Sequence, residues 1–520
     1  MTKSVDARRR MVGLVRTHWI ASVVIAAGLV LRLLALVAYH PALLYVDTLK
    51  YLYNAWPAAD PLGYKLILKP ILLFGDLGTV AVIQHLVGLA IAIAIYALLV
   101  RGVHGSGGLG LPRWLGALAI APILLDAYQI QIEQTIMPDV WFEAFVVAGL
   151  VLLLWRPEPT VGVVIGCGLI LGASATIRQA GEILFLPALL YLAAATKARR
   201  QAMRNALALI LSFGIPIVAY SGVWYARYGH FQLSDEGSIA GRVAASADCA
   251  TLVLPRDERP ICPTPAEQAR GIDWLEHNHL SPLKHFVVPA GTTRVSLLSG
   301  FDSAVESQQA VRIVGGILGD SLKLFAPTKS ALPGVTPISR WRFQSHYPKY
   351  LPEINVNANG QIILGLPNTG PGFRFQPLNP AYGGRAQVNR PIAEFLRGYQ
   401  LGGGYTPGPL LAIFALAGLA GSAVAFAGRR IATRRGGETR ELEVAALALG
   451  CLLFFGSAVV LLLVSDMYQF SWRYQLPALV TLPPAGALGI WAVRRLLARR
   501  EVPSAEAAPV SPAAAEPSPV

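Results

Sequence analysis

The feature that most constrains this chain is a series of apolar blocks, each close to the length of a membrane crossing and nearly free of charge. The first spans about Trp19–Tyr39, and others follow at about 79–100, 114–130, 139–155, 160–177, 183–196, 206–225, 408–427, 443–465 and 475–493. A hydrocarbon layer of about 30 Å takes roughly 20 helical residues to cross. Inside it, only a helix or a closed barrel satisfies the backbone polar groups. One large soluble core would not need uncharged runs of this length, repeated. Composition agrees: 54% of the residues are hydrophobic and 14% charged, against roughly 25% charged in soluble proteins, and the mean hydropathy is +0.49. The reading is an all-α polytopic membrane protein of about ten transmembrane helices, with a large mixed loop domain on the extracytoplasmic side.

The formal net charge of +14 would suit nucleic acid if it covered a soluble surface. Its placement excludes that partner. Arg8, Arg9, Arg10 and Arg16 precede the first block, Lys197, Arg199, Arg200 and Arg204 fill one short linker, and Arg429, Arg430, Arg434, Arg435 and Arg440 fill another. Arg494, Arg495, Arg499 and Arg500 follow the last block. Short basic linkers of this kind stay in the cytoplasm and meet anionic lipid headgroups there. Ten crossings from a cytoplasmic N-terminus put every one of these clusters inside, along with the C-terminus. The expected location is therefore the plasma membrane, multi-pass. The first block lacks a small-residue cleavage site and reads as a retained signal anchor.

Four segments follow: an N-terminal transmembrane module at 1–225, an extracytoplasmic loop domain at 226–407, C-terminal transmembrane helices at 408–500, and a tail at 501–520. The tail is rich in Ala, Pro, Glu and Ser and reads as disordered. Within 226–407, Val311 to Ala326 has helical periodicity and reads as an amphipathic helix against the membrane or the bundle. Cys167 and Cys451 fall in apolar blocks and read as inert core residues. Cys249 and Cys262 lie close together in the loop domain, where an oxidising exterior would allow a disulfide.

Ionisable residues at membrane depth are costly and call for a functional account. Four places qualify, and the topology puts all of them at the outer face. In the first, Asp47, Lys50, Tyr51 and Asn54 share one face if the segment is helical. Asp47 could take a proton from an attacking hydroxyl, or it could only cap an interfacial helix. The second runs from Asp126 through Glu133 and Pro138 to Asp139 and Glu143. It could position an acceptor or a divalent cation, though Asp139 could also serve the dipole of the helix it starts. The third holds Arg178 and Glu182. Arg178 could fork onto a phosphate, or snorkel, or pair with Glu182. The fourth is the turn with Asp466, Arg473 and Tyr474, a second phosphate or sugar contact or an aromatic belt with one arginine. Arg32, inside the first block, reads as a residue that snorkels or pairs with an acid. The chain has no phosphate loop, HExxH, GxSxG or CxxC, which disfavours a cytosolic nucleotide-sugar donor.

This pattern resembles the GT-C superfamily of membrane glycosyltransferases, including the protein O-mannosyltransferases and the aminoarabinose transferases of lipid A. The likeness covers roughly the first 200 residues. It rests on Arg32, on Asp47, on the stretch Gly63 to Pro70, and on Glu133 with Asp139; the Arg473-Tyr474 turn carries it more faintly. Many members have Glu after the first acidic residue, where this chain has Thr48. The resemblance implies a polyprenyl-phosphate sugar donor arriving from the outer leaflet. Its phosphate would meet Arg178, Arg473 and Lys50 or Lys65, and Asp47 would act as base in an inverting transfer. Glu133, Asp139 or Glu143 would position the acceptor or a cation, and the loop domain would select the extracytoplasmic acceptor. Two rival readings are a transporter or flippase, with charges lining a path at mid-depth, and a non-catalytic scaffold or receptor. The absence of an internal repeat weighs against the first.

Overall fold

The computed structural model describes residues 13–498, apart from 14, 54–60, 62, 102–108, 157, 197, 234–238, 333–334, 368–371 and 433–438. The expectations attached to Arg8–Arg10, Asn54, Lys197, Arg434, Arg435, Arg499, Arg500 and the 501–520 tail lie outside the described residues. So do those attached to the side chains of Arg429, Arg430 and Arg440.

The chain is mainly helical. Helix α1 (Trp19–Ala38) runs into a short strand, β1 (Tyr39–His40), and then come α2 (Thr48–Tyr53), α3 (Gly63–Phe74) and α4 (Leu77–Val100). They are followed by α5 (Arg113–Leu125), α6 (Ala127–Gln134), α7 (Asp139–Leu154), α8 (Val161–Ile177), α9 (Phe185–Ala195) and α10 (Arg199–Tyr228). Several of these helices are apolar on every side, because they face lipid or other helices rather than water. Five described helices are long and apolar enough to cross a membrane: α1, α4, α10 and, further on, 408–426 and 443–468.

The expected ten spans are thus not all matched by length. α7 has 16 residues, α8 has 17 and α9 has 11, giving at most about 25 Å of rise. The block expected as one span at 114–130 is instead broken by a bend of 50° between α5 and α6. The break has a local cause. Asp126 turns its carboxylate to the Tyr128 amide at 2.9 Å, starting a new helix, and also accepts from the Thr406 amide at 2.7 Å.

The segment expected as one loop domain divides into two parts. The first contains α11 (Ala240–Ser246), α12 (Pro265–Gln268), α13 (Ile272–His277) and α14 (Arg294–Leu322). It has its own small core around Val243, Ile261, Leu275, Phe301 and Val305, and the Cys249–Cys262 disulfide, with Cα atoms 6.0 Å apart, closes its surface. The second holds strands β2 (Ile354–Val356), β3 (Ile362–Pro367) and β4 (Phe373–Pro377) in an antiparallel sheet, then β5 (Gln387–Val388) and α15 (Arg390–Leu401). Its Trp341, Tyr347, Ile354 and Leu364 belong to the same core as the helical bundle. Strand β5 pairs with β1, Tyr39 opposite Val388, so this part is stitched to the end of the first helix. The chain then completes the bundle with α16 (Gly408–Ala432), α17 (Thr439–Tyr468) and α18 (Pro477–Leu497). α18 is buried along most of its length, at the centre of the bundle rather than against lipid.

Candidate functional site

The site begins with two loops that the backbone fuses into one piece. Leu43 donates to the Gln134 carbonyl and Ile136 to that of Leu43, each at 3.0 Å. Thr48, fully buried, accepts from the Tyr45 amide and donates to the Ile136 carbonyl, both at 3.0 Å. The hydroxyl at the position where many members of the resembled superfamily have Glu is therefore a clamp between the Asp47 loop and the Asp139 loop. Pro138 and Asp139 then start α7, which fixes the Asp139 carboxylate at that helix end.

Around this clamp, charges from four separate loops alternate in sign. Lys50 stands 3.8 Å from Asp47, and Arg473 donates to the other Asp47 oxygen at 2.8 Å. Arg473 Nε lies 3.7 Å from Asp139 Oδ1, the same oxygen that Arg178 reaches at 2.5 Å. The line Lys50–Asp47–Arg473–Asp139–Arg178 thus has three cations and two carboxylates. Tyr474 lies between the two arginines, its ring centroid 4.8 Å from one guanidinium and 4.7 Å from the other. Trp341 and Tyr45 flank Arg473 at 5.1 and 5.9 Å.

Exposure grades this line. Asp47 and Lys50 each keep 24% of their side-chain surface open, Arg178 keeps 15%, and Asp139 is closed at 1%. Burial works against an ionised Asp47, but Lys50 and Arg473 overcome it and hold the carboxyl below its ordinary value. Burial likewise opposes charge on Arg473, and Tyr474, Asp139 and Asp47 more than compensate. Asp139 Oδ2 and Glu143 Oε1 are buried and have no hydrogen-bond partner among the described residues. The donor set fits an anion: its donors are an ammonium and two guanidinium groups, which the two carboxylates of the line face. No cluster of three or more His, Cys, Asp or Glu side chains among the described residues is arranged to hold a metal ion.

Three expected site residues stand apart. Glu133 is fully buried, with one oxygen 2.7 Å from Arg32 Nη2 and the other 2.8 Å from Arg32 Nε and 2.9 Å from His85 Nδ1. Closed to solvent and tied to Arg32 and His85, it stands outside the ion line where an acceptor or cation was expected to meet it. Gly88 on α4 makes the room, since a Cβ there would collide with the Glu133 carboxylate. Glu143 accepts from Gln129 at 2.7 Å, beneath the ion line and not in it. Lys65 is buried on α3; burial and then the charge of Lys69 lower its pKa, and neither Asp47 nor Asp139 is among its influences. Arg178 pairs with Asp139, not with Glu182.

Other polar residues at these junctions were not singled out from sequence. Gln84 and His85 sit inside the apolar block at 79–100, where polar side chains at membrane depth were a readable signal. Ser321 lies in the periodic stretch at 311–326, whereas Arg242, Lys329 and Trp341 come from the polar loop, where no period distinguishes them. Cavities lined by Gly489, Val493 and Arg494, and by Leu152, Trp155 and Thr160, lie at the far ends of α18, α7 and α8, away from the ion line. Comparison with protein-family models, with curated proteins and with solved structures finds no match.

Proposed function

We propose that this chain is a GT-C-like membrane glycosyltransferase that moves a sugar from a polyprenyl-phosphate donor to an extracytoplasmic acceptor. One observation carries the reading: two carboxylates and three cations from separate loops converge at one end of the helical bundle, partly open. A phosphate monoester complements such a site, and Arg presents it with paired donors. The topology that goes with this reading has ten crossings, by α1, α4, α5, α7–α10 and α16–α18, in the plasma membrane. Their opposite ends hold Arg199, Arg200, Arg494 and Arg495, which the positive-inside rule puts in the cytoplasm together with both termini.

In the reaction, the acceptor hydroxyl oxygen attacks the anomeric carbon from the face opposite the phosphate. The bond from that carbon to the phosphate oxygen breaks, its electron pair staying on the phosphate, and the configuration inverts. Asp47 takes the hydroxyl proton. Arg178, Arg473 and Lys50 hold the departing phosphate as its charge grows. Paired as it is, Asp47 is a weak base. An arriving phosphate competes for Arg473 and Lys50, and loosening those pairs makes the carboxylate more basic as the donor docks.

The test is transfer of labelled sugar from synthetic polyprenyl-phosphate donors to membrane extracts by the purified protein. Transfer that is lost in Asp47→Asn supports the reading. No transfer from any such donor, or full transfer by folded Asp47→Asn, sinks it. Inorganic phosphate serves as the second arm in a binding assay: displacement of the lipid-linked donor only by other polyprenyl phosphates points to the lipid, whereas equal displacement by the free ion points to phosphate alone.

A further inference from the structure

The turn that carries Arg473 is held largely by the segment outside the bundle. Asp466, fully buried at the end of α17, accepts from Ser321 of α14 at 2.8 Å on one oxygen and from Gln475 at 2.8 Å on the other. Arg242 of α11, 4% exposed, donates to the Asp466 backbone carbonyl at 2.6 Å and pairs with Asp320, which also pairs with Lys323. Lys323 in turn stands 5.1 Å from the Phe470 ring. Past Phe470, the Trp472 indole donates to the Ser330 carbonyl at 3.1 Å, and Trp341 stacks near Arg473 itself.

Every attachment on that side comes from residues between 242 and 341. Arg242 joins α14 to the end of α17 through one nitrogen, Nη2, which meets both Asp320 and the Asp466 carbonyl, and a buried guanidinium cannot leave such partners cheaply. One of its contacts ends on Asp466, near the end of α17 and seven positions before Arg473, and the other on Asp320 of α14. A small displacement of a forked phosphate ligand loses much of its binding, because both donors must point at the anion together.

We infer that Arg242 and Asp466 are positioning residues for the phosphate site, through which the segment outside the bundle sets where Arg473 stands. The inference rests on the reading of Arg473 as a ligand for the donor phosphate. It gives the outer segment a second task besides acceptor choice: whatever binds there and shifts α11 or α14 also shifts the anion site.

The experiment is a double-mutant cycle on the full chain in phosphatidylcholine nanodiscs, reading the affinity for a sugar-free polyprenyl phosphate. Arg242→Gln should weaken binding roughly tenfold, with Arg242→Lys recovering part of the loss. Arg473→Gln should weaken it more, and Arg242→Gln with Arg473→Gln should bind no worse than Arg473→Gln alone. Additive losses, or full affinity in a folded Arg242→Gln protein, overturn the inference. Should Arg242→Gln fail to fold, Ser321→Ala takes its place: a loss of roughly threefold absent on the Arg473→Gln background supports it, and an unchanged affinity overturns it. Full affinity in Arg473→Gln removes the anion-site reading itself, which separates that failure from one in the coupling.

Discussion

Two ionic clusters in this molecule are built to opposite specifications. In the deeper one, Arg32 uses every arm: Glu133 takes Nε and Nη2, and the carbonyls of Gly28, Leu124 and Ile123 take the remaining contacts at 3.2, 2.9 and 3.1 Å. The pair is 1% and 0% exposed. In the other, Asp47 and Lys50 are partly open, Arg473 Nε makes no hydrogen bond among the described residues, and one Asp139 oxygen has none either. A closed, satisfied pair holds helices in register. An open line with unpartnered atoms at Arg473 and Asp139 is built to meet a ligand. Charge at membrane depth marks both kinds, and only satisfaction separates them.

The largest expected effect tests the closed side. Glu133→Ala strands the Arg32 charge and should destabilise the protein by about 3–5 kcal/mol, read as thermal unfolding in detergent, while Arg32→Met with Glu133→Leu recovers most of the loss. Asp47→Asn, at a partly exposed pair, should shift unfolding by less than ~1 kcal/mol. Equal unfolding of Glu133→Ala and Asp47→Asn would erase the distinction between the clusters.

The next effect is catalytic. Asp47→Asn should lower sugar transfer by roughly 10²–10⁴-fold, yet bind polyprenyl phosphate as tightly as the parent or more so, because the carboxylate no longer competes for Arg473 and Lys50. Weaker lipid binding in this variant would mean that Asp47 orders the cations rather than rivals the phosphate. A smaller change is expected at Arg178. Its replacement by Gln removes one charged donor and should reduce lipid-phosphate binding by about 1.5–3 kcal/mol, measured by titration in nanodiscs.

Sequence made the membrane character and the four charged loops legible, because apolar block length and misplaced charge are both local signals. Asp47, Asp139, Arg178 and Arg473 were each legible as charges beside apolar blocks, and the structure brings the four together. Glu133 was misjudged because nothing local distinguishes a carboxylate that faces a ligand from one that faces Arg32, 101 residues earlier. The bend at Asp126 was hidden for a similar reason: its second partner, Thr406, lies 280 residues away. The division of 226–407 was also invisible, since the aromatic residues that join its second half to the bundle look like any loop aromatics until Trp341 and Tyr347 are seen in the shared core.

The smallest effect contrasts Asp47 with a carboxylate that has burial but too little positive charge. Burial raises the Glu276 pKa to about 7, and His277, the Gly241 amide and Lys284 offset only part of this. Its Oε1 has no hydrogen-bond partner among the described residues, and Gly241 makes the room it occupies, since a Cβ there would strike the Glu276 side chain. Between its ordinary value of 4.5 and about 7 the folded protein binds the extra proton. This contribution to stability is therefore complete below 4.5 and is lost as pH rises through about 7. Asp47 has the reverse sign: its pairing contributes above its ordinary value of 3.8 and is lost only as pH falls through the lower folded value. Glu276→Gln should accordingly stabilise the segment around α13 by about 1–2 kcal/mol at pH 8 and flatten its profile between pH 5 and 8, read by limited proteolysis of the full chain. Asp47→Asn should leave that interval unchanged. A parent protein whose α13 segment grows more protease-resistant from pH 5 to pH 8 would place Glu276 among the paired carboxylates, and the contrast between burial and pairing would have to be drawn elsewhere.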